Sequence, residues 1–458
     1  MTFFRFLSSL VPVYLIGWTS LRFSLDPNSS FTKAERSALA LGLGFGCLTL
    51  EMFFMALLRL PWNPFSLFLP WLFLLPFSFL KKGRGAGEKR VSPVPLSSTE
   101  RSLCLFLFFL LLYVTVEALT LPLTYYEFWD AWSIWGHKAR AFALRGTVDF
   151  SFFTDPSRYF SHQEYPLLLP LSESWIYLGL GRIDEATVKF LFPFFFLSFL
   201  VLFWGASRRE RGRKESLILT VFLATLPLFL QYVVQGYAEI PLTFYYTFST
   251  LYLYFWCKDL RREDLWIGVL FSTFAAWTKN EGLALFTINF FLFATARFAV
   301  SRQGFRKKAL LEIALLLTPL FLLFPWYFLL ARLGISSEFW PLPWNVFLIR
   351  FPRILPILTT FFWKLIDIHS WNLLWVGLIF FGSLCWRDIF SFPKILLTLA
   401  IFFHWALYVF IYIIHPGEVV WVMNVDDGYN RILLHAAPLA LFLLGSLLKW
   451  EREDLQAR

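Results

Sequence analysis

The chain has 458 residues, of which 58% are hydrophobic, 21% aromatic and only 16% charged, with a formal net charge of +10. Soluble globular proteins carry about 25% charged residues, so a chain this long and this apolar cannot cover its own surface in water. A soluble enzyme, a nucleic-acid binder and a disordered chain are excluded. The composition requires a polytopic membrane protein.

In chain order, residues 3–18 form the first apolar stretch. They lack a strongly basic leader and a small-residue cleavage site, so they read as a retained span. The GLGFG stretch at residues 42–46 lies inside the next span and reads as close helix packing, not as a nucleotide loop. Further runs near bilayer length occur at 102–121, 187–203, 217–234 and 309–330, each close to the roughly 20 residues that cross the hydrocarbon. Cytoplasmic loops concentrate lysine and arginine. Loop 81–101 has six basic and two acidic residues, 207–216 has five and two, and 297–308 has five and none. These three are expected in the cytoplasm. Segment 122–186 instead has eight acidic and five basic residues, which places it outside. Residues 166–181 are bounded by helix breakers, contain Glu173 and are short, so they read as an interfacial or re-entrant helix. Only 187–203 then returns to the cytoplasm, and the external segment is too long to be a passive connector.

Continuing the alternation gives an all-α bundle of about thirteen spans with an internal C-terminus. The expected organisation is a three-span addition (1–101), a main transmembrane domain (102–450) and a tail (451–458). Segment 332–370 is net basic and rich in tryptophan and proline, which suits an interface-lying piece touching something anionic. No internal repeat is evident, and this weakens a secondary-transporter reading. Cys47, Cys104, Cys257 and Cys385 stand singly, supporting neither a disulfide framework nor a zinc site. His404, His415 and His435 have no diagnostic haem spacing.

Ionisable groups at the edge of the apolar phase are costly and are functional candidates by default. They gather at the expected external ends: Glu127 and Asp130 in YYEFWDAWSIWGHKAR, Tyr237 and Glu239 in QGYAEIP, Lys279 and Glu281 in TKNEG, and Asp426, Asp427, Tyr429 and Arg431 in VDDGYNR. Asp130 has two readings, a helix N-cap within an aromatic belt or a general base in a partly dehydrated cleft. Within SHQEYPLLLPL, His162 and Glu164 are metal ligands, partners of a polar substrate, or parts of a turn before the helix at Pro166. Two ligands alone do not make a metal site. Lys279 and Arg431 suit phosphate oxygens, although basic residues at span ends also serve as interface anchors.

These motifs and their order resemble the GT-C superfamily of membrane glycosyltransferases, closest to bacterial relatives of the protein O-mannosyltransferases and the lipid A aminoarabinose transferases. The resemblance rests on Trp129-Asp130-Ala131-Trp132 followed by Lys138-Ala139-Arg140, on His162 to Pro170 with its Tyr165-Pro166 step, on Thr278-Lys279-Asn280-Glu281-Gly282, and on Tyr429-Asn430-Arg431 with Pro438. It covers residues 102–449. It implies transfer of a sugar from a polyprenyl-phosphate donor to an envelope glycan, lipid or protein acceptor outside a bacterial inner membrane. By resemblance, Asp130 is the base with Glu127 as the alternative, and Lys138, Arg140, Lys279 and Arg431 hold the lipid phosphate. His162, Glu164, Tyr165, Tyr237, Glu239, Glu281 and Tyr429 complete the expected binding set. The acidic signature departs from the family's paired form, and the C-terminal soluble domain of the oligosaccharyltransferase branch is absent. No cofactor is implied; a divalent metal has no support from the spacing. Two other classes use lipid-linked saccharides or similar cargo: an O-antigen-type ligase or polymerase, and a non-enzymatic flippase or transporter built around Glu51 and Glu117.

Overall fold

Apolar runs without a polar alternation period satisfy their backbone locally as helices. In the computed structural model, which describes residues 2–26, 29, 31–79, 95–120, 129–301, 306–336, 344–415 and 428–448, helices and short helical turns are the only regular elements among the described residues. Nine of these helices are long and apolar enough to cross a bilayer: Phe3–Ser24, Lys33–Leu57, Ser98–Glu117, Glu185–Arg208, Asn280–Val300, Arg306–Leu333, Asn345–Leu365, Lys394–Ile414 and Gly428–Leu447. The bent pair Arg213–Ala224 and Pro227–Gln235 supplies a tenth if it is one span. The chain is thus a helical membrane protein. About thirteen spans were expected; Phe65–Phe79 and Leu374–Leu384 are apolar but short, and Arg262–Thr278 has only 17 residues.

The chain forms two compact units. The first comprises residues 1–224, 232–245 and 277–280; the second comprises 225–231, 246–276 and 281–458. The first three helices thus share a unit with the segment that follows residue 129.

In the first unit, α1 (Thr2–Ser24) and α2 (Lys33–Leu57) form a tight pair. Thr32 starts α2 with a capping box, accepting from the Glu35 N–H while Glu35 accepts from the Thr32 N–H, so two otherwise orphaned donors are satisfied. Glycine permits the approach. A Cβ at Gly17 would overlap the Ala40 carbonyl, and one at Gly44 would overlap the Val13 carbonyl. Backbone contact through small residues is how helices gain dispersion energy where water gives no hydrophobic drive. The helix Leu168–Leu180 (α6 in the chain order used below) packs on α1, where Trp175 donates to the Ser9 carbonyl at 2.8 Å and Arg5 donates to the Leu180 carbonyl at 3.0 Å. Tyr245 donates to the Gly42 carbonyl at 2.8 Å. By contrast the helix Ser98–Thr120 has only 11% of its apolar window buried and exposes Leu105, Phe106, Phe108, Phe109 and Leu112, as a face against lipid tails would.

In the second unit, polar groups inside the apolar phase pair across helices. The Asn289 amide reaches Ser249 and Thr250 at 3.2 and 3.0 Å, and Arg297 pairs with Glu312 at 2.7 Å. An aromatic core of Phe361, Trp371, Trp375, Trp405 and Tyr429 fills the space between Ile354–Leu365, Lys394–Ile414 and Gly428–Leu447.

The glycine contacts give a sharp contrast. Gly44→Leu has no room and is expected to cost at least about 3 kcal/mol, the upper range for overpacking. Gly146, whose added Cβ would meet nothing within 4 Å but whose φ is +65°, is expected to cost only about 1 kcal/mol as alanine. Thermal unfolding of both variants in detergent micelles checks the difference.

Candidate functional site

The first unit gathers most of the sequence-selected residues. Trp129 and Asp130 lie in a helical segment that passes through a π-turn, Ala131–Gly136, into His137–Arg145 (α5). The His137 N–H reaches back to the Trp132 carbonyl, the wider ring of a π-turn, a feature frequent at functional sites. The turn needs its glycine, because a Cβ at Gly136 would stand 2.9 Å from the Ala131 carbonyl oxygen. Helix α5 ends at Gly146 in the left-handed conformation, as C-terminal glycines do.

Two short 3-10 turns follow, each opened by an aspartate: Asp149 accepts from the Ser151 N–H and Asp155 from the Ser157 N–H. The Gln163 amide ties both turns together by donating to the Phe152 and Asp155 carbonyls, each at 2.9 Å. His162 takes a left-handed φ of +50°, which turns the chain sharply. Pro166 disfavours a helical conformation at Tyr165, and α6 begins at Leu168. This helix has 13 residues and rises about 20 Å, too little to span the hydrocarbon.

Tyr165 is the centre of the arrangement. Its ring stacks on His162 with centroids 4.8 Å apart and on Trp135 at 5.6 Å. The Nζ atoms of Lys138 and Lys279 each lie 5.8 Å from the same ring centroid, within cation–π range. Lys138 is fully buried and donates to the His162 carbonyl. Lys279 donates to Glu239 at 3.0 Å, and the two side chains are 9% and 1% exposed. His162 Nδ1 lies 3.3 Å from Glu164. Lys138, His162, Glu164, Tyr165, Glu239 and Lys279, drawn from four separate motifs, therefore meet within one compact unit.

The remaining selected residues fall as follows. Asp130 is half-buried with helical backbone and makes no capping hydrogen bond, so the N-cap reading does not hold. Arg140 pairs with Glu185 at 2.8 Å and lies 5.8 Å from the Trp132 ring. Tyr237 is buried with its ring 6.0 Å from that of Tyr232. Glu281, Tyr429 and Arg431 belong to the second unit. There Tyr429 is fully buried and donates to the Ile357 carbonyl at 3.2 Å, the position of a packing residue. Glu127, Asp426 and Asp427 lie outside the described residues, as does most of the basic 81–101 loop.

Lys138 differs most from its expected role. With its amine inside the fold and bonded to a main-chain carbonyl, it holds the His162 turn. Burial pushes its pKa down to about 7, with nearby Glu164 opposing the shift. For Glu164 burial acts upward, but the His162 hydrogen bond, its own backbone N–H and the His162 and Lys138 charges outweigh it, so its carboxyl sits below the usual range. Burial, followed by the Arg140, Arg158 and Lys138 charges, lowers His137.

Sequence reasoning gave no site role to Glu173, Glu185 and Lys189. They line a concavity with Ala131, Trp132, Gly136, Tyr177 and Gly236. Glu173 is 4% exposed, and its Oε2 has no hydrogen-bond partner. The signal was in the sequence, since a carboxylate in the middle of an apolar helix is an expensive placement. Among the described residues no three His, Cys, Asp or Glu side chains are grouped to hold a metal ion. Comparison of the chain with protein-family models, curated proteins and solved structures finds no match.

Two outcomes follow from this geometry. Between about pH 7 and 10.5 the unfolded chain holds a proton on Lys138 that the folded chain has released, so this residue makes stability rise with pH across that window, by up to about 1.4 kcal/mol per pH unit. Subtracting the stability of Lys138→Met from that of wild type, measured by denaturant unfolding at pH 7.5 and 9, is expected to give a positive pH slope. For the Lys279–Glu239 pair, Glu239→Ala strands a buried cation and is expected to cost about 3–5 kcal/mol. The double variant Glu239→Leu/Lys279→Met is expected to cost less than the single one, which a double-mutant cycle reads directly.

Proposed function

We propose that the chain is an inverting glycosyltransferase of the GT-C type, moving a sugar from a polyprenyl-phosphate donor to an acceptor hydroxyl at the external membrane face. The observation that carries this reading is the convergence around Tyr165: Lys279, Glu239, His162 and Glu164 come from motifs far apart in sequence and share one unit with Asp130. Helical packing alone does not require two lysines against one tyrosine ring in a chain this apolar. The loop charges support an external position for these ends, and the order of the motifs supports the family resemblance.

The chemistry balances with one base and fixed cations. An acceptor oxygen attacks the anomeric carbon, its O–H proton passes to Asp130, and the bond from that carbon to the phosphate oxygen breaks. The pair of electrons leaves on the phosphate, already a good leaving group, so no general acid is needed. Lys279 neutralises the charge that develops there, the preorganised electrostatic stabilisation on which such reactions depend. Attack opposite the leaving phosphate inverts the anomeric centre. Lys138 serves as a positioning residue for the His162–Tyr165 turn, and Arg140, engaged by Glu185, steadies the same segment.

Asp130→Asn, assayed with defined polyprenyl-phosphate sugars and mass analysis of acceptors, is expected to lower turnover by about 10²- to 10⁴-fold, the range for loss of a general base, with donor affinity retained. Lys279→Ala is expected to weaken donor binding. Near-normal turnover of Asp130→Asn removes that assignment. Movement of the lipid-linked sugar without any covalent product replaces the enzyme with a flippase.

A further inference from the structure

The concavity beside the π-turn has a composition that selects its ligand. Its walls are Trp132, Glu173, Tyr177, Glu185, Lys189 and Gly236, all within the first unit. Two acids and one lysine line it, and Glu185 is paired with the Arg140 guanidinium. An anion would meet the Glu185 carboxylate; a metal cation would meet Lys189 and Arg140. Alternating acceptors and donors instead match a neutral ligand with several hydroxyl groups, each able to give one hydrogen bond and receive another. Trp132 and Tyr177 add the flat apolar surfaces on which C–H faces of such ligands rest. The glycine matters here too: Gly236 has φ +78°, and a Cβ there would stand 3.4–3.5 Å from Lys189, Ala131 and Phe192, narrowing the floor. The space open to the centre of a water molecule is about 20 Å³. That accepts a hydroxyl or hydroxymethyl group and leaves the rest of a ring outside the opening.

The unmet hydrogen-bonding capacity of Glu173 is the second observation. Its Oε2 is buried without a partner, an unfavourable state that a hydroxyl group would relieve. Burial raises the Glu173 pKa to about 8, with the Lys189 charge opposing and Glu185 adding to the rise. Near neutral pH the group is therefore mainly a carboxylic acid, able both to donate and to accept.

We propose that this concavity is a sugar subsite, in which Glu173 and Glu185 bind hydroxyl groups at one edge of a neutral pyranose while Lys189 donates to its oxygens and Trp132 supports its face. The identification of the ligand as a carbohydrate rests on the glycosyltransferase reading. The sugar comes from the donor or from the acceptor, and the two sources separate experimentally.

Binding is measured on the full-length protein in nanodiscs. The probes are methyl glycosides of a hexose, an N-acetylhexosamine and an aminopentose, polyprenyl phosphate bearing each of these sugars, and bare polyprenyl phosphate. Glu173→Leu removes the hydrogen-bonding group at similar volume, and Ala131→Leu fills the concavity from the facing wall. If one variant fails to fold, judged by its melting curve, the other decides. Both are expected to weaken binding of at least one sugar-bearing probe by about tenfold or more, with bare polyprenyl phosphate bound as by wild type. Weakened binding of the sugar-bearing carriers assigns the subsite to the donor; weakened binding of methyl glycosides, with the carriers unaffected, assigns it to the acceptor. A wild type that binds no sugar-bearing carrier better than the bare carrier and no methyl glycoside at all, or folded variants with wild-type affinities, overturns the proposal. Sugar binding lost in the variants, with no covalent transfer by wild type, keeps the subsite and removes the glycosyltransferase reading. Transfer at wild-type rates in both variants does the reverse.

Discussion

A charge withdrawn from water must bring its partner with it, and the first unit is organised by that requirement. Lys279 is buried with Glu239, Lys138 with the His162 carbonyl, and Glu164 with His162. Leaving any one of these charges unpaired costs several kcal/mol, so each contact fixes a main-chain position and not just a side chain. Lys138 clamps the turn at His162; the turn presents Tyr165; the ring of Tyr165 receives Lys279. A segment bounded by residues 129 and 166 is thereby held against 239 and 279 by electrostatics in a low-dielectric setting, where hydrophobic packing alone discriminates poorly.

Local sequence prepares each of these contacts. The π-turn at Ala131–Gly136 leads directly into the following helix, with Trp135 stacked on Tyr165 while Lys138, about one helical turn later, reaches the His162 carbonyl. Pro166 keeps the preceding residue out of the helix, and the left-handed His162 places its ring over Tyr165. Asp149 and Asp155 use their side chains to start short turns, so they are structural acids.

Much of this was legible in the sequence. Length and composition demanded a helical membrane protein, and the short, breaker-bounded stretch at 166–181 was readable as a non-spanning helix because its 13-residue core cannot cross the hydrocarbon. The sequence singles out Glu239 and Lys279 by their placement at the apolar boundary, His162 and Glu164 within SHQEYPLLLPL, and Lys138 and Tyr165 through the family resemblance, and these six do meet. It could not separate a cation that faces a ligand from one that braces a loop, because burial of Lys138 depends on where the 149–165 segment folds back. Glu173 was noticed in sequence and given no role, since an acid inside a buried helix has meaning only once Lys189, Glu185 and Trp132 are seen around it. The partition into two units cuts through the helices Glu239–Asp259 and Arg262–Thr278, a property of long-range packing that hydropathy does not carry.

The Lys279–Glu239 pair also bears on how a phosphate would be held under the proposed reading. An ammonium has three donors, and Glu239 occupies one of them while the Tyr165 ring faces the charge at 5.8 Å. A lysine so fixed cannot swing toward solvent as a surface lysine does, so little of its side-chain entropy is left to lose on binding. Glu239 meanwhile places a carboxylate directly beside the ammonium. The same carboxylate repels an incoming phosphate, so binding would be weaker than a bare cation could give. That opposition suits a leaving-group site better than a storage site: the attraction grows as negative charge accumulates on the departing phosphate, and the product is not trapped by a contact too strong to release.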